Sequence, residues 1–101
     1  MSTSSSAREK NVSATEVESV LYEHPSLKEV AVVGVADPIR DQKIKAFVAG
    51  RDCVPDPVEL ETFCRQRLAP FKVPTEWVVM DALPKTEIKG DIDKKVLRKM
   101  T

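Results

Sequence analysis

Two runs of β-branched and aliphatic residues, Val30-Ala-Val-Val-Gly-Val35 and Ile44-Lys-Ala-Phe-Val-Ala49, stand a short loop apart in this chain. Each has the length and composition of a strand. A parallel pairing needs a crossover of about a dozen residues or more, usually helical. The intervening stretch is too short for one, and it carries the Asp37-Pro38 turn signal followed by Arg40 and Asp41. The spacing therefore predicts neighbouring antiparallel strands. Gly50, Arg51 and Asp52 end the second.

Helices are expected on both sides of that pair. Ser13-Ala-Thr-Glu16 is a capping-box pattern, in which the Ser hydroxyl caps free backbone N–H groups while Glu16 reaches back. Val17, Val20, Leu21 and His24 then share one helical face, and Pro25 stops the helix. A second helix opens at Asp56-Pro-Val-Glu59, with Asp as N-cap and Pro at the first helical position. Leu60, Phe63, Cys64, Arg67 and Leu68 mark its faces and Pro70 closes it, while Phe71-Lys-Val-Pro74 is too short and proline-bound for an element of its own. Glu76-Trp-Val-Val-Met80 predicts a third strand. After the Leu83-Pro84 turn, a short helix is expected near Asp93 to Met100. The order is α-β-β-α-β-α: a small single α+β domain whose short, mainly antiparallel sheet of about three strands packs against helices.

Composition narrows the function. At 101 residues, 42% of them hydrophobic, the chain has room for one core. A nucleotide-using enzyme usually needs a larger fold to enclose its substrates. Sixteen basic and sixteen acidic side chains cancel, which argues against a chain built to neutralise nucleic-acid phosphates or anionic lipid. Lys89, Lys94, Lys95, Arg98 and Lys99 are interleaved with Asp91 and Asp93 and lack aromatic platforms, so no nucleic-acid partner is expected. The longest apolar run, Val30 to Ala36, falls far short of the roughly 20 residues that span a bilayer, so no membrane span is expected. Cys53 and Cys64 lack CxxC spacing and cannot complete a zinc site with the single His24, so no metal is assigned. Cys64, on an apolar helix face, is expected to be a buried thiol. His24 is expected to be a half-buried helix-end residue rather than a catalyst. Residues 1–10, opening Met1-Ser-Thr-Ser-Ser-Ser-Ala7, lack the cationic and apolar regions of a secretory signal and read as a flexible leader, one that an expression vector could supply. A cytoplasmic location fits.

No GxGxxG, Walker loop, HExxH or GxSxG motif is present. What the chain does hold is a series of phrases in fixed order. These are Asn11-Val-Ser-Ala-Thr-Glu-Val-Glu18, His24-Pro25, Val30-Ala-Val-Val-Gly-Val-Ala-Asp-Pro38, Ile44-Lys-Ala-Phe-Val48, Leu68-Ala-Pro-Phe-Lys-Val-Pro74, Leu83-Pro-Lys-Thr86 and Asp93-Lys-Lys-Val-Leu-Arg98. Together they resemble the C-terminal domain of the adenylate-forming enzymes: acyl-CoA synthetases, aryl-CoA ligases, peptide-synthetase adenylation domains and luciferases. The resemblance covers about residues 11 to 98, so 11–101 is expected to be that domain. Asp37-Pro-Ile-Arg-Asp41 and Ile44-Lys-Ala-Phe-Val48 look most like the carnitine and crotonobetaine CoA ligase branch.

The resemblance implies a mobile lid. In the family, a large N-terminal domain holds ATP and the carboxylic acid, and the small domain swings between two orientations. One delivers a lysine to adenylate formation and the other serves thioester formation with CoA. An ammonium beside the carboxylate and α-phosphate steadies the charge as pyrophosphate leaves, and closure keeps water from the acyl-adenylate. ATP and Mg belong to the complete enzyme and CoA is a co-substrate; none is expected on this chain alone, which is predicted inactive without its large partner domain. Arg40, Lys43, Lys45 and Lys72 are candidate contacts for CoA phosphates.

The lysine departs from the family phrase, which runs Pro-Lys-Thr, two residues, Gly-Lys, an aliphatic residue, then a basic helix. Here Pro84-Lys-Thr-Glu-Ile88 is followed by Lys89-Gly90-Asp91-Ile92. Aligned from the left, Gly90 falls at the lysine. Anchored on Ile92-Asp-Lys-Lys-Val-Leu-Arg98, a longer match, Gly90 stays the glycine, Asp91 takes the lysine position, and Lys89 is one extra residue. Either Lys89 serves from one position earlier, or the half-reaction is crippled, or the segment is altered. Where the family has glycines before Asn-Val-Ser and, further upstream, a hinge residue, Arg8-Glu-Lys10 precede Asn11 here and neither feature is evident. The alternative to an acyl-CoA ligase lid is a stand-alone, non-catalytic interaction or regulatory module that kept this fold and lost the lysine.

Overall fold

A computed structural model describes residues 12–35, 43–87 and 90–100. Its elements are α1 (Val12–Tyr22), β1 (Leu27–Val35), β2 (Lys43–Gly50), α2 (Pro57–Arg67), a single 3-10 turn (Pro70–Lys72), β3 (Glu76–Met80) and α3 (Lys94–Lys99). The expected order α-β-β-α-β-α is the observed one. The leader lies outside the described residues.

β1 and β2 pair antiparallel, Val30 opposite Val48 and Val32 opposite Ala46. β3 lies on the other side of β2 and runs parallel to it, with Val48 beside Val79, so the sheet is mixed, in the order β1-β2-β3. The connection between β2 and β3 contains α2, which supplies the crossover that a parallel pair requires. The start of β3 is fixed by Thr75 N–H donating to the Ile44 carbonyl at 3.0 Å.

The sheet separates two apolar layers. Val30, Val32, Ala46 and Val48 face Val17 and Leu21 of α1 and Leu60 and Cys64 of α2. Ala31, Val33, Phe47 and Ala49 face Leu83 and, from α3, Leu97. Because both faces are covered, the central strands read as nearly continuous apolar runs. One irregularity breaks the alternation. Leu27 pairs with Gly50 while Glu29 pairs with Ala49, so the register shifts around Lys28. In a regular strand Leu27 and Glu29 would share a face. The bulge puts Leu27 into the α1–α2 layer and leaves Glu29 on the side of Leu83.

α2 begins as its sequence requires: the Asp56 side chain accepts from Val58 N–H at 3.1 Å, and Pro57 sits in the first turn. α1 starts earlier than the capping-box reading places it: its helical backbone already includes Val12 and Ser13. Glu16 accepts from the Lys72 ammonium at 2.8 Å, a charge-assisted bond that ties α1 to the 3-10 turn. At the other end, His24 Nδ1 accepts from Ser26 N–H at 3.2 Å and its ring meets Phe63 edge-on at 5.0 Å. His24 is the half-buried helix-end residue expected.

Two outcomes test this packing. A Cβ added at Gly50 would lie 2.1 Å from the Cys53 carbonyl oxygen, whereas one at Gly34 meets nothing within 4 Å among the described residues. Gly50→Ala should cost about 1–3 kcal/mol or more, and Gly34→Ala should stay within about 0.5 kcal/mol, by urea denaturation. Both cysteines are free; Cys53 is exposed, and burial pushes the Cys64 thiol up to about 11. Iodoacetamide at pH 8 should label Cys53 alone in the native chain and both in urea, read by mass spectrometry.

Candidate functional site

Beyond β3 the chain turns back as a hairpin against the β1 edge. Asp93 N–H donates to the Pro84 carbonyl at 2.9 Å and Thr86 N–H to the Asp91 carbonyl at 2.8 Å, with an antiparallel bridge between Lys85 and Ile92. Gly90 has φ +75°, a left-handed conformation that glycine adopts without strain. Asp93 then caps α3, accepting from Lys95 N–H at 3.1 Å.

Two carboxylates hold this unit in place. Glu29 accepts from Leu83 N–H at 3.0 Å and pairs with the Lys85 ammonium. Glu18 accepts from Val32 N–H at 2.8 Å and from the Lys94 ammonium at 2.6 Å. Tyr22, one helical turn on from Glu18, donates its hydroxyl to the Val30 carbonyl at 3.1 Å. Glu18 and Tyr22 thus satisfy alternate backbone groups along the open edge of β1 and block further strand pairing there. Between α1, β1 and the hairpin lies an open cleft of about 460 Å³, lined in part by Glu18, Tyr22, Glu29, Lys85 and Asp91. The hydrogen bond from Lys85 holds the Glu29 carboxyl below its ordinary value, and the same bond raises Lys85.

The candidates from sequence fall in different places. Lys89 and Arg40 lie outside the described residues, as does the side chain of Lys43, whose backbone opens β2. Lys45 lies beside Phe47 on the α3 side of the sheet, 3.5 Å from Glu76. Lys72 is bound to Glu16 of α1, which packs on the opposite side. Lys45 and Lys72 are therefore not brought together, and a phosphate at either would compete with a carboxylate already in place. Asp91 is exposed next to Gly90. Among the described residues, no group of three or more His, Cys, Asp or Glu is placed to hold a metal ion. No helix among them is long and apolar enough to cross a membrane.

Residues 16–89 match the AMP-binding enzyme C-terminal domain family. The chain belongs to this family. It is 39% identical over 92 residues to a long-chain-fatty-acid–CoA ligase of Bacillus subtilis strain 168, covering 90% of this chain and 16% of that ligase. It is 41% identical over 90 residues to a crotonobetaine/carnitine–CoA ligase of Proteus mirabilis, covering 88% of this chain and 17% of the relative. Among solved structures, an amide bond synthetase from Marinactinospora thermotolerans superposes with a TM-score of 0.78 at 35% identity, over 86% of this chain and 18% of that one. A benzoate CoA ligase from Burkholderia xenovorans LB400 gives 0.75 at 42% identity, over 88% and 19%. The chain thus spans about a sixth to a fifth of the length of these proteins. The expected fold is that of the family.

The cleft around Glu18, Glu29 and Tyr22 is what motif reading misses in this family member. Lys85 lay within the quoted Pro84-Lys-Thr86 phrase, but its partner is contributed by β1. The pair sets a pH dependence. Folding lowers Glu29, so its contribution is complete above the ordinary value of 4.5 and is lost as pH falls through the lowered value. Folding raises Lys85, so its share is complete below 10.5 and is lost as pH rises through the raised value. Lys85→Met should flatten both limbs of the curve of urea midpoint against pH. An acid limb unchanged from wild type would show that Glu29 does not titrate through this pair.

Proposed function

We propose that this chain is the mobile C-terminal lid of an ATP-dependent acyl-CoA ligase, which joins a carboxylate to ATP as an acyl-adenylate and then passes the acyl group to CoA. The observation that carries the reading is the family match over residues 16–89, a region that ends inside the hairpin anchored by Glu29. ATP supplies the adenylyl group and is held, with Mg, by the large N-terminal domain. The carboxylic acid and CoA are the small-molecule partners, and the two free thiols suit the reducing cytoplasm where this chemistry would run.

In this reading Lys89 is the cation delivered to the reacting carboxylate and α-phosphate. The left-handed backbone at Gly90 supports the alignment that keeps Gly90 as the family glycine, so Lys89 acts from the residue before it. Asp91, exposed on the other side of that glycine, then need not enter the site. Arg40, Lys43, Lys45 and Lys72 are assigned to CoA phosphates; of these, Lys45 and Lys72 lie on opposite sides of the sheet and would meet different parts of the ligand. At Lys72 the exposed Phe71 lies alongside, with the ammonium 5.9 Å from the ring centroid, a combination suited to a charged, partly apolar ligand.

The test is a chimera in which residues 12–100 replace the matching domain of the Proteus mirabilis crotonobetaine/carnitine–CoA ligase. It should release pyrophosphate with crotonobetaine and ATP well above the ligase truncated before that domain. Lys89→Ala should lower this release about 100-fold, the cost of removing one group that stabilises developing charge. A chimera no better than the truncated ligase would favour the non-catalytic module instead.

A further inference from the structure

We propose that Glu18 and Glu29 are positioning residues, which clamp the two ends of the Pro84–Asp93 hairpin to α1 and β1 and so aim its tip for adenylation. The proposal rests on the lid reading and deepens it.

The argument begins with a repeated donor set. Each carboxylate binds one backbone N–H and one ammonium. Glu29 takes Leu83 N–H and Lys85, at the entry of the hairpin. Glu18 takes Lys94, at its exit where α3 begins, and ties it to Val32 N–H on the strand edge. Both side chains are largely withdrawn from water, 18% exposed for Glu18 and 17% for Glu29. Between the two ties the hairpin closes on itself through the Lys85–Ile92 bridge and the bonds at Thr86 and Asp93. The described arms of the hairpin, bonded to each other and tied at both ends, are thereby held to the sheet.

Burial alone would not give that direction. Leu83, Leu97 and Ile92 already attach the segment to the apolar layer, and apolar contact is non-directional. Both lysines are nearly half exposed, at 46%, and ion pairs of that kind add little stability. Their contribution is angular. A charge-assisted bond to each carboxylate selects one orientation of the hairpin about its apolar root. Reactions that depend on placement are sensitive to it, since a displacement of about 1 Å can cost about 100-fold.

The half-reactions separate positioning from folding. In the chimera, adenylation is followed by pyrophosphate release, and thioester formation by supplying preformed acyl-adenylate with CoA. Lys85→Met and Glu29→Gln should each lower the kcat of adenylation at least about tenfold, leaving KM for ATP and the thioester step within about twofold. Lys94→Met should act in the same direction, and Lys85→Arg should restore most of the loss. Equal losses in both half-reactions, or no loss in either, would overturn the proposal. Should the wild-type chimera itself fail to adenylate, the lid reading fails, and amide exchange in the 101-residue chain decides the clamp. Lys85→Met should then speed exchange at Thr86 and Asp93 but not at Val48; unchanged exchange at the two hairpin amides would overturn it.

Discussion

The register shift at Lys28 is the constraint on which the rest of this domain depends. A strand offers its side chains to two faces in strict turn, and here both faces must be filled. Without the extra residue, Leu27 would turn from the α1–α2 layer, or Glu29 would turn into it. A carboxylate among Val17, Leu21 and Leu60 would face burial without a partner, which is far more costly than any pairing it now makes. With the shift, Leu27 is buried at 5% exposure and Glu29 reaches Leu83 N–H and Lys85. One residue of irregularity thus converts the start of an apolar strand into the anchor of the hairpin.

Much of the fold was legible because its determinants are local. The β-branched runs and the Asp56-Pro57 cap each specify their element within a few residues, and each forms where its pattern places it. The parallel addition of β3 was less legible. Five residues of Glu76-Trp-Val-Val-Met80 specify a strand but not its partner, which is set by the length of the α2 crossover and by which side of β2 remains open. The start of α1 was also less legible: the Ser13–Glu16 pattern is local, while the helix already includes Val12 and Glu16 binds Lys72, 56 residues away.

The same distinction divides the candidate site. Pro84-Lys-Thr86 could be read as a phrase, and Gly90 as a glycine with a conformational purpose. What Lys85 binds could not, because Glu29 is 54 residues from the Leu83 amide it also receives and sits among residues that read only as strand. Glu18 and Tyr22 are similarly quiet in sequence. Both lie beside the apolar stripe of α1, yet here they bind the Val30 carbonyl and the Val32 N–H on the edge of β1. Edge protection leaves no periodic mark, so only the assembled strand shows what these side chains do.

The balanced charge takes on a more specific meaning in this light. The described lysines at 45, 72, 85 and 94 are each matched to a glutamate, and the pairs connect elements that no apolar contact alone would orient. The proposed lid role would require the domain to move as one body, or the motion would be dissipated within it. Two apolar layers supply cohesion, and they are indifferent to small rotations of whatever rests on them. Directional pairs at the periphery remove that freedom, and those of Lys85 and Lys94, nearly half exposed, do so while adding little to stability. In such a design the cost of losing a pair falls on aim more than on folding.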